Sequence, residues 1–316
     1  MLPSIGIKTI DMRRFDVVVA GEINPDLILS GEVQPAFGQV ETLVDSAELV
    51  IGSSSVIFAC GAARLGLKVA FTGLCGDDYF GHFMLAEMQK RQVDTGNVRV
   101  VPGGATGLSV ILNRGADRAI LTHMGLIPDL RAEDVSDELL RQARHLHVAS
   151  YFLQRAIQPG LPDLFQRALR CGLSTSLDTN YDPSEQWLGF EALLPVTNVF
   201  LPNETEARSL ARAATLEAAA DKLAGMVATL AIKLGAAGAL GVSDTRRVRL
   251  ASLPVEVADT VGAGDSFDAG FIYGYLNGWA FENSMRLGVV CGALSTRKPG
   301  GTAAQATLEE AYRELS

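Results

Sequence analysis

The sequence has 316 residues and 48% hydrophobic content, enough to bury a large core, which excludes a disordered or collagen-like chain. With 27 Lys and Arg against 36 Asp and Glu, its formal net charge is −9, so it lacks the positive field that nucleic acids and anionic membranes attract. No apolar stretch reaches the ~18 residues of a membrane span, and the charged N-terminal region does not fit a signal peptide. We therefore expect a cytoplasmic protein with reduced, buried thiols at Cys60, Cys75, Cys171 and Cys291.

Strand-like and helix-like segments alternate along the chain. Strands are predicted at about residues 15–20, 68–72, 145–152, 173–179, 199–202, 230–234 and 255–258, and helices at about 54–65, 79–91, 161–170, 205–213 and 216–227. This alternation predicts one α/β domain over residues 1–316, with a doubly wound, mainly parallel sheet and helices on both faces.

Two stretches interrupt the alternation. Residues 27–50 and 106–124 lack a helical period and carry short, part-polar strand patterns. We expect them to pair into a small β-strand lid, formed by insertions at about 22–50 and 105–126. Such a lid beside the carboxyl edge of a parallel sheet would border a substrate cleft.

Several common site motifs are missing from the sequence. It contains no GxxxxGK[ST], GxGxxG or HExxH pattern. His145 and His147 would share one face of a strand, but they lack a third ligand nearby, so we interpret them as structural. His82 and His123 have no evident partner for a catalytic triad.

The segment DTVGAGDSFDAGF at residues 259–271 is the most informative one. Gly262, Ala263 and Gly264 leave backbone N–H groups accessible at a predicted helix start, which favours an anion site. Asp265 in the same turn suits a group that accepts a proton beside a transferring phosphoryl group. Alternatively, Asp265 or Ser266 only caps the helix and the glycines form its turn.

The same segment resembles the C-terminal signature of the ribokinase-like carbohydrate kinases, the phosphofructokinase B family. Other segments resemble motifs of that family in the same order, namely GEINPD at 21–26, residues 52–66, the glycines between 73 and 81, DTN at 178–180, NETE at 203–206 and KLGAAG at 233–238. The resemblance implies a ribokinase-like fold and transfer of the ATP γ-phosphoryl group to a hydroxyl of a sugar or a sugar-like molecule.

By this resemblance, Asp265 is the general base, ionised at neutral pH. The amides of Gly262, Ala263, Gly264 and Asp265 would form the anion hole. Asn203 and Glu206 would organise Mg²⁺ through water, although the same pair also reads as a helix cap.

The nucleotide and a monovalent cation have implied sites as well. ATP would contact five residues, Asn203, Lys233, Gly235, Gly238 and Gly264, with a solvated strand-end lysine as the alternative for Lys233. Asp259, Val261 and carbonyl groups between about residues 294 and 301 resemble the K⁺ loop of some family members.

The resemblance also implies the substrate residues, which are Asn24, Asp26, Gly52, Ser53, Ser54 and Ile57. Here the sequence departs from the family, which usually has a second glycine where Ser53 stands and an asparagine where Ile57 stands. Since isoleucine cannot form a hydrogen bond, we expect a less hydroxylated or partly apolar ligand there, with the serine hydroxyls compensating in part.

The identity of the acceptor stays open between a sugar, a sugar acid, a nucleoside and a sugar phosphate. Arg114, Arg118 and His123 of the predicted lid are candidate contacts, or else solvated side chains. The alternative of another class is a catalytically silent sugar- or nucleotide-binding protein that keeps the kinase fold. We also expect a homodimer formed through the lid.

Overall fold

The computed structural model describes residues 13–114 and 117–315. Its strands, numbered along the chain, are β1 Val17–Ala20, β2 Pro25–Ser30, β3 Ser46–Ile51, β4 Val69–Gly76, β5 Val93–Val101, β6 Leu108–Arg114, β7 Asp117–His123, β8 His145–Val148, β9 Ser174–Leu177, β10 Val199–Phe200, β11 Thr229–Lys233, β12 Ala239–Ser243 and β13 Arg246–Leu250. Nine of them form a sheet in the order β13-β12-β11-β10-β9-β8-β1-β4-β5. Strands β11 to β5 in this order are parallel, and β12 and β13 add an antiparallel edge. The predicted mainly parallel sheet is confirmed.

Helices cover both faces of this sheet. They are α1 Ser54–Arg64, α2 Tyr79–Lys90, α3 Asp137–Arg141, α4 Leu161–Arg170, α5 Glu204–Ala211, α6 Leu216–Ala224, α7 Ala263–Leu276, α8 Phe281–Ser295 and α9 Leu308–Leu315. Helices α3 to α6 contribute to one buried apolar cluster, and α1, α2, α7, α8 and α9 to the other. Strand β1 supplies both clusters because side chains alternate along a strand: Val18 faces one and Val17 and Val19 face the other.

The direction of winding reverses between β1 and β8. Strand β1 pairs with β4 on one side and with β8 on the other, and all three run parallel. Glu22 follows β1, and Ser150 follows β8, so both lie at the carboxyl edge where the connections diverge. Ligands of doubly wound sheets bind at such a reversal point.

A second, smaller sheet stands beside this edge, in the order β3-β2-β6-β7. Its β2 and β6 pair in parallel, with Asp26 opposite Ser109, while the outer pairs are antiparallel. Its strands come from the two stretches in which a lid is predicted, apart from residues 115–116, which lie outside the described part. Its action as a lid stays a prediction.

Two expectations differ from the structure. Residues 255–258 form no strand, because Val255 and Val257 line a cavity instead of joining a ladder. All four cysteines are free thiols, but only Cys60, Cys75 and Cys291 are buried, and Cys171 is partly exposed.

Among the described residues, no helix combines the length and apolarity needed to cross a membrane.

Candidate active site

A cavity of about 770 Å³ opens at the carboxyl edge of the large sheet. The predicted site residues that line it are Ser54, Asn203, Glu206, Lys233, Gly235, Gly238, Gly262, Ala263, Gly264 and Asp265. The predicted residues outside its lining are Asn24, Asp26, Gly52, Ser53, Ile57, Asp259 and Val261. Segments that are far apart in the sequence meet here because the carboxyl ends of parallel strands lie at the same edge of the sheet.

Helix α7 begins at the floor of this cavity. Its N-cap, Gly262, has a φ of 71°, and an added Cβ would lie 2.7 Å from the Gly301 Cα atom. The first N–H groups of a helix have no acceptor within the helix, and they carry the positive end of its dipole. Asp265 lies buried in this first turn. The helix start thus combines amide donors with a carboxyl group, as an anion site with an adjacent base requires.

A buried ion cluster lies directly beside that turn. The Lys233 ammonium donates to Asp178 Oδ2 at 2.7 Å and to both carboxylate oxygens of Asp268, at 3.2 and 3.1 Å. Its side chain is 12% exposed, and an added Cβ at Gly264 would lie 3.4 Å from its Nζ. Lys233 is therefore not a solvated strand-end lysine. It joins the ends of β9 and β11 to α7.

This cluster leaves an excess of buried carboxyl groups. Burial, reinforced by the Asp178 charge, raises the pKa of Asp265 to about 8. Burial also raises the pKa of Asp268 well above its usual range. Burial opposes the charge on Asp178 as well, but the Lys233 ammonium holds the pKa of Asp178 below its usual value. Burial thus opposes the expected ionisation of Asp265 at neutral pH, which stays a prediction, and this burial was not visible in the sequence.

Asn203 and Glu206 form a reciprocal cap at the start of α5. Asn203 Oδ1 accepts from the Glu206 amide at 2.9 Å, and Glu206 Oε2 accepts from the Asn203 amide at 2.9 Å. The Asn203 side-chain amide also donates to Glu206 Oε1 at 2.5 Å. Burial, together with the Asp178 charge, raises the pKa of Glu206 to about 7. The helix cap is thus present, and both side chains still border the cavity.

Asn24 and Asp26 lie where β1 leads into the small sheet, and both are buried. Asn24 Nδ2 donates to Asp26 Oδ1 at 3.3 Å. An added Cβ at Gly52 would lie 2.1 Å from the same oxygen, so Gly52 allows the close approach of Asp26. Burial raises the pKa of Asp26 to about 7, although the Arg118 charge opposes the shift.

Ser53 and Ile57 do not face the cavity. The Ser53 hydroxyl donates to the Glu22 carbonyl at 2.7 Å and accepts from the Val56 amide at 3.1 Å, as the N-cap of α1. An added Cβ at Gly301 would lie 2.4 Å from Ile57 Cδ1, so Ile57 packs behind the Gly262 and Gly301 backbone. Both side chains point into the interior, outside the cavity lining, and their role in substrate binding stays a prediction.

Asp259 connects two loops. Its Oδ1 accepts from the Val261 amide at 3.0 Å, and its Oδ2 accepts from the Gly300 amide at 2.9 Å. The Thr296 backbone carbonyl, at the end of α8, also accepts hydrogen bonds from the backbone amides of Ala258 and Asp259. These bonds join the two loops, and the role of Asp259 and Val261 in K⁺ binding stays a prediction.

The two arginines of the predicted lid lie in different surroundings. Arg118 lines the cavity, and its Nη1 lies 3.8 Å from Asp259 Oδ1, whereas Arg114 bonds to the exposed Gln34.

His145 bonds to Ser174 and Ser176, both at 2.7 Å, and Phe58 stacks on His147. Both histidines are fully buried, in agreement with a structural role.

The sequence-based interpretation missed one wall of the cavity and one acid. The wall is apolar and is formed by Leu253, Pro254, Val255, Val257, Val289 and Ala293. The alternation of apolar residues at 255–258 is a signal of this wall, although it equally predicts a strand. Asp268 lies inside the recognised motif, and its spacing of three residues from Asp265 could have placed both on one side of α7.

Comparison with known proteins agrees with this geometry. The family described as pfkB family carbohydrate kinase matches residues 14–308. An uncharacterized sugar kinase of Archaeoglobus fulgidus is 30% identical over 76% of this chain and 96% of its own length. The 2-dehydro-3-deoxygluconokinase of Bacillus subtilis is 30% identical over 82% of this chain and 84% of its own length.

The structural comparison extends over nearly the whole chain. A solved structure of a putative ribokinase II from E. coli, in complex with ATP and Mg²⁺, matches with a TM-score of 0.85. It covers 95% of this chain and 99% of its own, at 23% sequence identity. At that identity, the match establishes the shared fold.

Replacement of Lys233 by Met tests the ion cluster. It leaves Asp178 and Asp268 buried without their cation, and we expect the free energy of unfolding to fall by about 3–5 kcal/mol. The uncompensated carboxyl groups then hold protons in the folded state, so the loss should be larger at pH 8 than at pH 5.5. Urea denaturation at both pH values measures it, with the exposed Lys222→Met as the matched control. Equal, small losses in the two variants would contradict the assigned role of Lys233.

Proposed function

Because the chain belongs to the pfkB family of carbohydrate kinases, we propose that it transfers the γ-phosphoryl group of ATP to a hydroxyl of a sugar or sugar acid. The observation that carries the proposal is the buried Asp265 carboxyl in the first turn of α7, at the floor of the cavity. A capping role alone does not explain it, since the N-cap is Gly262 and no side chain caps this helix.

Asp265 is the general base in this proposal. It takes the proton of the acceptor hydroxyl while the hydroxyl oxygen attacks phosphorus and the bond to the ADP oxygen breaks. The amides of Gly262, Ala263, Gly264 and Asp265 form the anion hole for the negative charge on the transferring group. The left-handed conformation of Gly262 supports this role, because it turns the chain into the helix without a side chain in the way.

The ATP site fits the loop between β11 and β12. Gly235 has open space around its Cα, and Gly238, with a φ of 92°, has the Leu250 carbonyl 1.9 Å from where a Cβ would lie. Only a glycine adopts this backbone beside that carbonyl, which leaves a side-chain-free cradle for phosphate or ribose. The apolar wall of Val255, Val257 and Val289 offers a surface for the adenine ring.

Asn203 and Glu206 suit Mg²⁺ in its hydrated form. Their amide and carboxylate oxygens are hard donors, but they are engaged in the cap of α5. An ion would therefore be held through its water shell. When bound, Mg²⁺ supplies charge neutralisation to the phosphates.

The acceptor would lie between α7 and the small sheet. Asn24 and Asp26 stand at the base of that sheet and offer hydrogen bonds to sugar hydroxyls. Arg118 brings a guanidinium group to the cavity, which suits an acidic sugar. The relative named as a 2-dehydro-3-deoxygluconokinase, whose substrate is such an acid by name, supports including sugar acids.

Replacement of Asp265 by Asn is the primary test of the activity. We expect turnover to fall by about 10²–10⁴-fold, because the amide cannot accept the proton, while stabilisation by MgATP is kept. The assay follows ADP formation with a panel of sugars, sugar acids, nucleosides and sugar phosphates, and the exposed Asp163→Asn serves as the control. Equal turnover in wild type and Asp265→Asn would refute the proposal. MgATP stabilisation without turnover in any protein would favour the silent binding protein.

The raised pKa of Asp265 predicts a pH dependence of turnover. The base must lose its proton, so kcat/KM should rise about tenfold per pH unit up to a pH of about 8 and then level off. The residual activity of Asp265→Asn should lack this rise. A profile that is flat between pH 6 and 9 would show that Asp265 is already ionised.

A homodimer through the small sheet is part of the proposal. Exposed apolar side chains gather on this sheet and on its β2–β3 connection, with Phe37 99% and Leu121 60% exposed, which favours burial against a second copy. Phe37→Glu combined with Leu121→Glu should yield monomers in light scattering, whereas Leu188→Glu, at an exposed site elsewhere, should not. A monomeric wild type would contradict the dimer.

A further inference from the structure

Among the described residues that line the cavity, two carry cationic side chains, and their surroundings differ. Lys233 is bonded to Asp178 and Asp268 in the buried ion cluster. Arg118 comes from strand β7 of the small sheet. The side chain of Arg118 is 38% exposed, whereas that of Lys233 is 12% exposed. Arg118 is therefore the cationic group that a ligand in the cavity reaches more easily.

Asp259 holds the Arg118 guanidinium group loosely. Arg118 Nη1 lies 3.8 Å from Asp259 Oδ1, an ion-pair distance that exceeds the ~2.7–3.2 Å of a hydrogen bond. The Asp259 oxygens accept from the Val261 and Gly300 amides at 3.0 and 2.9 Å, which fixes this carboxylate in its loop. The pair balances the charge of Arg118, and Nη1 can turn to a ligand without the loss of a hydrogen bond to Asp259.

Arg118 shares one face of the small sheet with a polar row at its base. Asp26 on β2 lies opposite Ser109 on β6, and Ser109 lies opposite Thr122 on β7. Ser109 Oγ and Thr122 Oγ1 are 3.0 Å apart. Thr122 and Arg118 are four residues apart on β7, so both side chains point to the same face. An acceptor whose hydroxyls bind at this row therefore extends along the face toward Arg118.

The charges around the cavity favour a ligand with a single negative charge. The carboxyl groups of Asp178, Glu206 and Asp265 line the cavity, and that of Asp259 pairs with Arg118. A phosphate ester carries about −1.5 to −2 charges at pH 7, which would add to those of a triphosphate in the same space. A carboxylate carries one charge, which one guanidinium group balances, and its two oxygens match the planar fork of arginine.

We propose that Arg118 selects the acceptor by binding the carboxylate of a sugar acid, with Asp259 as its counter-ion when no acid is bound. The acceptor hydroxyls bind at the row of Asp26, and one hydroxyl meets Asp265. A neutral sugar gains nothing from the guanidinium group, and a sugar phosphate brings more charge than that group balances. This inference narrows the proposed function to sugar acids, and it rests on that function because it takes the cavity as the acceptor site of a kinase.

Replacement of Arg118 by Gln tests the carboxylate contact. We expect the KM for a sugar acid to rise about 10–100-fold, because charge-assisted hydrogen bonds are lost. The kcat should change less than about threefold, since the carboxylate is bound equally in the ground state and the transition state. Arg118→Lys keeps the charge without the fork and should give an intermediate KM. Arg114→Gln, on the same hairpin but bonded to Gln34, is the matched control and should keep the wild-type values.

The acceptors in this assay differ in charge at similar size. The acids are D-gluconate and 2-dehydro-3-deoxy-D-gluconate, the neutral sugars are D-glucose and D-fructose, and the phosphate is fructose 6-phosphate. In wild type, kcat/KM for one of the acids should exceed that of the other two classes at least about 100-fold, and Arg118→Gln should lower this ratio about 10–100-fold.

Two kinetic results would overturn the proposal. One is a wild-type protein whose best acceptor is neutral or phosphorylated. The other is an equal loss of kcat for acids and neutral sugars in Arg118→Gln, since this would place Arg118 at the transferring phosphoryl group.

Binding measured without turnover separates this inference from the proposed function. Calorimetry follows both acids binding to Asp265→Asn, and to Asp265→Asn combined with Arg118→Gln, with Mg²⁺ and a non-hydrolysable ATP analogue. We expect the second protein to bind the preferred acid about 10–100-fold more weakly. If this difference persists while wild type shows no turnover, the kinase activity fails and the acid site stands. If wild type turns over but both variants bind the acids equally, or neither binds them, the role of Arg118 is overturned. Urea denaturation of each variant shows that the compared proteins are folded.

Discussion

The candidate site depends on one buried ammonium group. Lys233 closes β11, Asp178 follows β9 and Asp268 belongs to α7, so the two ion pairs join three elements that share no sequence neighbourhood. Breaking a buried pair leaves a charge that no longer has a partner or water, which makes the cluster a rigid anchor. The start of α7, and with it Asp265, is placed relative to the sheet by this anchor.

The same cluster sets the electrostatics of the cavity. One ammonium faces the acids Asp178, Asp268 and Asp265, and burial keeps water from screening them. Burial, reinforced by the surplus of carboxyl groups, is the reason that the pKa of Asp265 is raised. A polyanion such as ATP would meet the amide groups at the start of α7 in the same space.

The sequence predicted the order of strands and helices better than the contacts between side chains that are distant in the chain. The alternation of segments predicted the parallel sheet, and DTVGAGDSFDAGF predicted the start of α7, because both signals are local in the chain. The partner of Lys233 and the interior direction of Ser53 and Ile57 could not be predicted, since they depend on which strands become neighbours. At residues 255–258 a local signal gave a wrong prediction. The alternation of apolar side chains there predicts a strand, but the same alternation also suits the wall of a cavity.

Ser53 shows how a departure from the family pattern is accommodated. It has a φ of 66°, a strained conformation that costs a non-glycine residue about 1 kcal/mol or more. Its hydroxyl offsets that cost by capping α1 and by donating to the carboxylate of buried Glu22. The same carboxylate also accepts hydrogen bonds from the hydroxyls of Ser55 and Ser150. A glycine at this position would supply neither the cap nor the bond to Glu22. The cap fixes the first turn of α1, and Ser54, the first residue of that turn, borders the same cavity as Asp265.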